Sequence, residues 1–317
     1  MQLGLSLARQ NIMRRVLLSL LPIYIFCIYA FGWRLLVILA FVTICGVGTE
    51  YVILRFMQGS VPIRMPEAIL VSCALYTLVL PPAVPLWTAC LGIIFGVLFG
   101  KGIFGGFGKN VFNPALLGRC FVFITFPAVM TVNWSEPFRG FPGGLLRYSG
   151  GADVLTSATP LVQVGGEQLS LLRLFFGPIP GSAGEISAFL ILLAAVYLVL
   201  TKTASLEIML ASAGAFLGLS TLYYLTGAAA ASPLMSIFSG GALFAFVFMA
   251  TDPITAPTNR TAKILYGLLI GALTITIRTF ANFREGAMFA VLLGNSFAPL
   301  LDLQVKEFMA RRREATS

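Results

Sequence analysis

Ten stretches of this chain are apolar over the length of a helix, and they follow one another with little between them. They run at about 16 to 31, 35 to 54, 68 to 80, 85 to 100 and 112 to 130, and then at 186 to 200, 206 to 226, 236 to 250, 262 to 277 and 287 to 303. About 20 apolar residues in helical conformation cross the hydrocarbon of a bilayer. Inside it every backbone amide and carbonyl must find a partner within the protein, which leaves helices as the economical solution. The chain is therefore read as an all-α integral membrane protein of about ten transmembrane helices embedded in a lipid bilayer.

Composition narrows the function. Hydrophobic residues make up 58% of the 317 residues and charged ones only 10%, which does not describe a water-exposed surface. A net charge of +9 would suit nucleic acid, but the basic residues are scattered between apolar runs rather than gathered in a stripe, so no nucleic-acid partner is expected. Histidine is absent, which excludes bis-histidine haem, histidine metal sites and serine-histidine catalysis. Redox chemistry would have to come from an organic cofactor or another subunit. The five cysteines lie inside apolar runs without a Cys-x-x-Cys pair and read as small buried hydrophobes.

The ten segments fall into two sets of five, and the sets share punctuation. Leu80-Pro81-Pro82-Ala83-Val84-Pro85 closes the third segment of the first set as Asp252-Pro253-Ile254-Thr255-Ala256-Pro257 closes the third of the second. A Gly-x-x-x-Gly follows each, Gly96 with Gly100 and Gly267 with Gly271. Five is odd, so a second copy runs inverted through the membrane, and two inverted five-helix repeats with broken third helices are expected. The division is 1–130 for the first half, 131–185 for a polar loop, 186–304 for the second half and 305–317 for a tail. Of the Lys and Arg residues, 14 fall on the amino-terminal side and 6 on the other, with Arg119 inside a segment. Both termini are thus expected in the cytoplasm and the 131–185 loop outside.

A few polar residues stand out against this background. Asp153-Val154-Leu155-Thr156-Ser157-Ala158-Thr159-Pro160 puts three hydroxyls within four residues of the loop, next to a stiff proline. Such a hydroxyl can accept a phosphate ester, and the same pattern also serves as turn or cap chemistry. Gly108-Lys109-Asn110-Val111-Phe112-Asn113-Pro114 leads into the fifth segment, which carries Arg119 about one turn inside. Lys109 reads as an interfacial anchor or a cation for an anionic group. Arg119 is costly in an apolar segment unless it pairs or faces a cavity, and Asp252 is a candidate partner that could instead cap. Phe280, Phe283 and Phe289 flank Arg278, Arg284 and Glu285, as lipid-facing packing or an aromatic slot.

These blocks together resemble the RnfD/NqrB family. The resemblance rests on Gly108 to Ala115 with Gly118-Arg119, on Ser157-Ala158-Thr159-Pro160-Leu161, on Phe248 to Pro257, and on Arg284-Glu285-Gly286 with Phe289 to Leu293, in that order over nearly the whole chain. Length favours the RnfD branch. The resemblance implies a membrane subunit of an ion-translocating oxidoreductase of the bacterial cytoplasmic (inner) membrane, inactive alone. It implies FMN bound through a phosphoester to Thr159, with Ser157 and Thr156 as neighbouring hydroxyls, installed by a separate flavin transferase. Lys109, Asn113 and Arg119 are expected around the flavin chemistry, with a noncovalent flavin such as riboflavin as a further expectation. Asp252 and Glu285 are candidates for the path of sodium or protons. Implied partners are the other membrane, iron-sulfur and flavin subunits of an Rnf complex. A channel or secondary transporter without a redox role is the alternative reading, because inverted halves with broken helices also build transporters.

Overall fold

A computed structural model of the chain describes residues 6–58, 64–132, 136–138, 142–148, 171–179, 181–281 and 286–314. The loop motif, Thr156, Ser157 and Thr159 included, and Glu285 lie outside the described residues.

The first half opens with α1 (Asn11–Phe31) and α2 (Arg34–Gln58), separated at Gly32, whose φ of 86° turns the chain where a side chain would be strained. A short α3 (Ala68–Val79) ends at extended Leu80, ahead of Pro81 and Pro82. Then come α4 (Leu86–Val97), which runs into a π-helical turn at Leu98–Gly102, α5 (Pro114–Thr125) and α6 (Pro127–Val132). Asn113 starts α5 by accepting the amides of Ala115 and Leu116, with Pro114 at the first helical position, where its missing N–H leaves no bond unmade. Residues 6–8 and 64–66 pair as a three-residue parallel ladder, the one strand pairing among the described residues.

After α7 (Leu171–Phe176) the second half contains α8 (Ala188–Leu200), α9 (Leu206–Leu225), α10 (Pro233–Phe238), α11 (Ala242–Phe244), α12 (Arg260–Phe280) and α13 (Gly286–Glu314). The third segment here, expected to break at its close in Asp252-Pro253-Ile254-Thr255-Ala256-Pro257, is interrupted earlier, at 239–241. Ser239 is extended, Gly240 and Gly241 take φ of 66° and 68°, and the chain restarts as α11 and a π-helical turn at Ala245–Met249. Its counterpart α3 is short but uninterrupted, because it contains neither Gly nor Pro.

Among the described residues, five helices are long and apolar enough to cross a membrane: Asn11–Phe31, Arg34–Met57, Leu206–Leu225, Arg260–Phe280 and Gly286–Arg312. A helix of 12 residues such as α3 or α5 is only about 18 Å long, well short of a hydrocarbon core of about 30 Å. Both have most of their residues buried against the rest of the protein.

The two halves pack alike, α4 lying between α2 and α5 and α12 between α9 and α13. Glycine use differs. A Cβ at Gly96 would sit 2.2 Å from the Pro114 carbonyl of α5, whereas one at Gly271 would sit 2.1 Å from the Ser212 carbonyl of α9. The matched Gly-x-x-x-Gly pairs therefore serve non-equivalent interfaces. Close backbone approach is locally required in each, and sequence spacing cannot tell which neighbour it admits.

Candidate functional site

Several of the polar side chains in the bundle line two small cavities along α5. The first has a volume of about 50 Å³ and lies where α1, α3 and α5 begin, α8 ends and the second-half break segment terminates. Its polar lining is Ser72, Lys101, Asn110, Asn113, Thr203, Thr251 and Asp252. The second, about 20 Å³, lies toward the other end of the bundle and is lined by Arg119, Glu185, Gly240 and Gly241 with Phe244, Met249 and Met288. Asn113, in the first, donates its side-chain amide to the Met249 sulfur, in the second, at 3.7 Å. A single layer of side chains therefore separates the two spaces.

Asp252 is held by its own turn. Its carboxylate accepts the Ile254 amide at 3.3 Å and the Thr255 hydroxyl at 3.2 Å. Arg119 is buried and donates to the Ser182 hydroxyl at 3.2 Å. Of the two readings of Asp252, partner of Arg119 or cap, its hydrogen bonds are those of a cap, and the two residues line different cavities. The reason is chain length: α5 carries Arg119 up from Asn113, while Asp252 follows the π turn down to the other end. Lys109 is exposed, beside a glycine turn at Gly105, where a Cβ would lie 2.9 Å from its Cδ and so the missing side chain leaves room for its stem. Phe280 packs edge-on against Tyr223 and Phe289 against Phe123, and Phe283 lies outside the described residues.

Two further charged residues, unremarkable in the sequence, are central here. Lys101, at the end of the π turn that follows α4, donates to and ion-pairs with Glu50 of α2, and each side chain is only 3% exposed. A signal for the pair exists: Glu50 is a lone carboxylate inside an apolar run, and such a charge needs a buried partner. Lys101 has the look of a topology lysine because it stands next to a glycine-rich turn. Its Nζ also lies 5.4 Å from the Phe107 ring centre.

A second cation clamps the break. Arg278 of α12 donates to the carbonyls of Ser236 and Ser239, at 2.9 and 3.1 Å, and to that of Gly240. Its guanidinium lies over the Phe216 ring, 5.5 Å from the centre. The interruption exposes carbonyls that a continuous helix would have used, and Arg278 satisfies them inside the bundle.

The comparisons with known proteins bear on what this arrangement belongs to. A family model described as "NQR2, RnfD, RnfE family" matches residues 6–310. The chain belongs to that family. As a member of the NQR2, RnfD, RnfE family it is 39% identical over 262 residues to a subunit of the Na(+)-translocating NADH-quinone reductase of Pseudomonas aeruginosa (strain LESB58), covering 78% of this chain and 62% of that protein. It is 38% identical over 263 residues, with the same shares, to the equivalent reductase subunit of Haemophilus influenzae (strain PittEE). The chain thus spans about 62% of the length of these relatives.

The noncovalent flavin expected from this family has no place in either cavity. The larger has room for roughly four ordered waters. A three-ring isoalloxazine does not fit there, although the amide groups and the carboxylate acceptor would suit its polar edge.

Proposed function

We propose that this chain is the membrane subunit of an Rnf-type ion-translocating oxidoreductase complex, relaying electrons through an FMN esterified to Thr159 and coupling their passage to sodium or proton transport. The sequence block Ser157-Ala158-Thr159-Pro160, within a family match that runs over residues 6–310, carries this reading. The described ends of the loop that bears it fit such a group. Trp33, at the corner between α1 and α2, meets Tyr148 with ring centres 4.6 Å apart and donates its amide to the Arg147 carbonyl. Arg147 in turn lies over the Phe138 ring, 5.4 Å from its centre. The chain thus enters the loop beside flat apolar faces and a cation, surfaces that suit an aromatic ring carrying a phosphate.

A bound flavin exchanges electrons singly, and tethering it by its phosphate keeps it within the assembly. The chain's own residues would do the rest. We assign to Asp252 a charge-compensation role at the mouth of the larger cavity, where Thr251, Asn110 and Asn113 add polar atoms along one wall. Inverted five-helix halves, cytoplasmic termini and an outward loop complete the proposal, and the 14 to 6 charge asymmetry supports that orientation.

Intact mass and peptide mapping test the reading on protein from a host that supplies a flavin transferase. The expected result is an FMN adduct on the Thr159 peptide that is absent from Thr159→Ala. A colourless, unmodified wild type would overturn it in favour of a transporter without redox role, which the interrupted segment at Gly240 and the paired cavities would then serve. Asp252→Asn in the assembled complex is expected to lower coupled ion transport, and unchanged transport would remove Asp252 from the path.

A further inference from the structure

We infer that Lys101 is a tethered cation that holds Glu50 in place of a mobile monovalent cation, and that the two exchange at the Glu50 carboxylate. The ion pair sits between the bundle interior and the larger cavity. Glu50 points inward from α2, while Lys101 both reaches it and lines the cavity. Each charge is almost wholly removed from water, so neither can be left alone: a buried charge without a partner is far costlier than the pair. Any rearrangement must therefore conserve charge. A monovalent cation replaces the ammonium at Glu50 charge for charge, where a divalent one would leave an excess, and the displaced ammonium takes its counter-charge from the Asp252 carboxylate on the same cavity.

The surroundings provide for both states. Glu50 Oε2 is buried and has no hydrogen-bond partner among the described residues, so the carboxylate has unused coordinating capacity beside the oxygen that Lys101 takes. Asn110 Oδ1, on the cavity side, is likewise buried without a partner among them, and Asp252 lines the same space. A displaced Lys101 thus has acceptors to turn to across a cavity that holds a few waters, while its stem is long and flexible enough to reorient. Its position over the Phe107 ring gives the ammonium a further favourable face during the movement.

This inference rests on the ion-transport reading for its purpose, but the site can be judged alone. Thermal unfolding of the purified full chain in NaCl is compared with that in choline chloride at equal ionic strength, because a cation that binds the folded state stabilises it by mass action. In Lys101→Met, Glu50 has no tethered rival, and the NaCl concentration giving half the stabilisation is expected to fall at least tenfold below that of the wild type. The double variant Glu50→Gln/Lys101→Met is expected to show no sodium-specific stabilisation. Should Lys101→Met fail to fold, Lys101→Arg keeps the charge, and its forked guanidinium grips a carboxylate more firmly, raising the half-effect concentration at least tenfold. Equal sodium responses in wild type and Lys101→Arg, or a Lys101→Met response no different from the double variant, would overturn the exchange. An assembled complex that moves no cation while this order of sodium responses holds would sink the transport reading and leave the site intact.

Discussion

The side-chain amide of Asn113 reaches the sulfur of Met249 at 3.7 Å, and that contact joins the first turn of α5 to the end of the π-helical turn in the second half. It is also the layer between the two cavities. Asn113 does a second job with its other atom, accepting the amides of Ala115 and Leu116. Asn113→Ala is therefore expected to lose the cap of α5 as well as the contact, costing about 1–2 kcal/mol. Met249→Ala, which empties a fully buried site, is expected to cost about 2–5 kcal/mol. Unfolding in mixed detergent, compared across the two variants and wild type, checks both figures.

Glycine substitutions should separate helix contact from helix propensity. Gly96→Ala places a methyl 2.2 Å from a backbone carbonyl that cannot move aside, and it is expected to abolish the folded chain. Gly214→Ala, on α9, meets nothing within 4 Å and is expected to be neutral or to stabilise by about 0.5–1 kcal/mol. The yield of monodisperse protein and its unfolding temperature read both outcomes.

Arg278 holds three carbonyls of the interrupted segment, and lysine cannot replace a fork that spans Ser236, Ser239 and Gly240. Arg278→Lys is expected to lose about 2–3 kcal/mol, and Arg278→Ala more, because carbonyls are then left unpaired away from water. Faster hydrogen exchange confined to the 233–249 region would identify the break as the place where the loss is felt.

Glu67, just ahead of α3, ties the amino-terminal segment to the bundle. The Arg14 guanidinium, at 2.7 Å, and the Gln10 amide, at 2.8 Å, hold its carboxyl below the ordinary value of 4.5. A carboxyl depressed in the folded state contributes stability that is present above its unfolded value and is lost as pH falls through the folded one. The wild type is expected to lose this contribution progressively below about pH 4.5. In Glu67→Gln the corresponding part of the acid limb flattens, which a pH series of unfolding curves measures directly.

Much of the architecture is legible in the sequence because hydrocarbon is an unforgiving solvent. The expected segment at 206 to 226 is α9 at Leu206–Leu225, and 68 to 80 is α3 at Ala68–Val79. Lone signals such as Asn113-Pro114 name a helix start to the residue, since cap chemistry is local. The candidate site is less legible. Arg119 stands out in its apolar segment and is buried, but its hydroxyl partner Ser182 is 63 residues away, in a stretch with no sequence mark. Glu50 is conspicuous as a lone carboxylate in an apolar run, but nothing local points to its partner Lys101, 51 residues away.

The sequence by itself determined that the chain is helical, that it belongs in a membrane and where a capped helix such as α5 begins, because those follow from the length of apolar runs and from caps within a few residues. Only the tertiary structure decided which helix each glycine admits, that Lys101 is paired while Lys109 is exposed, and that Asp252 and Arg119 face different cavities. Those outcomes depend on how short helices such as α3 and α5 are shielded by distant ones, a long-range packing choice that no local pattern encodes.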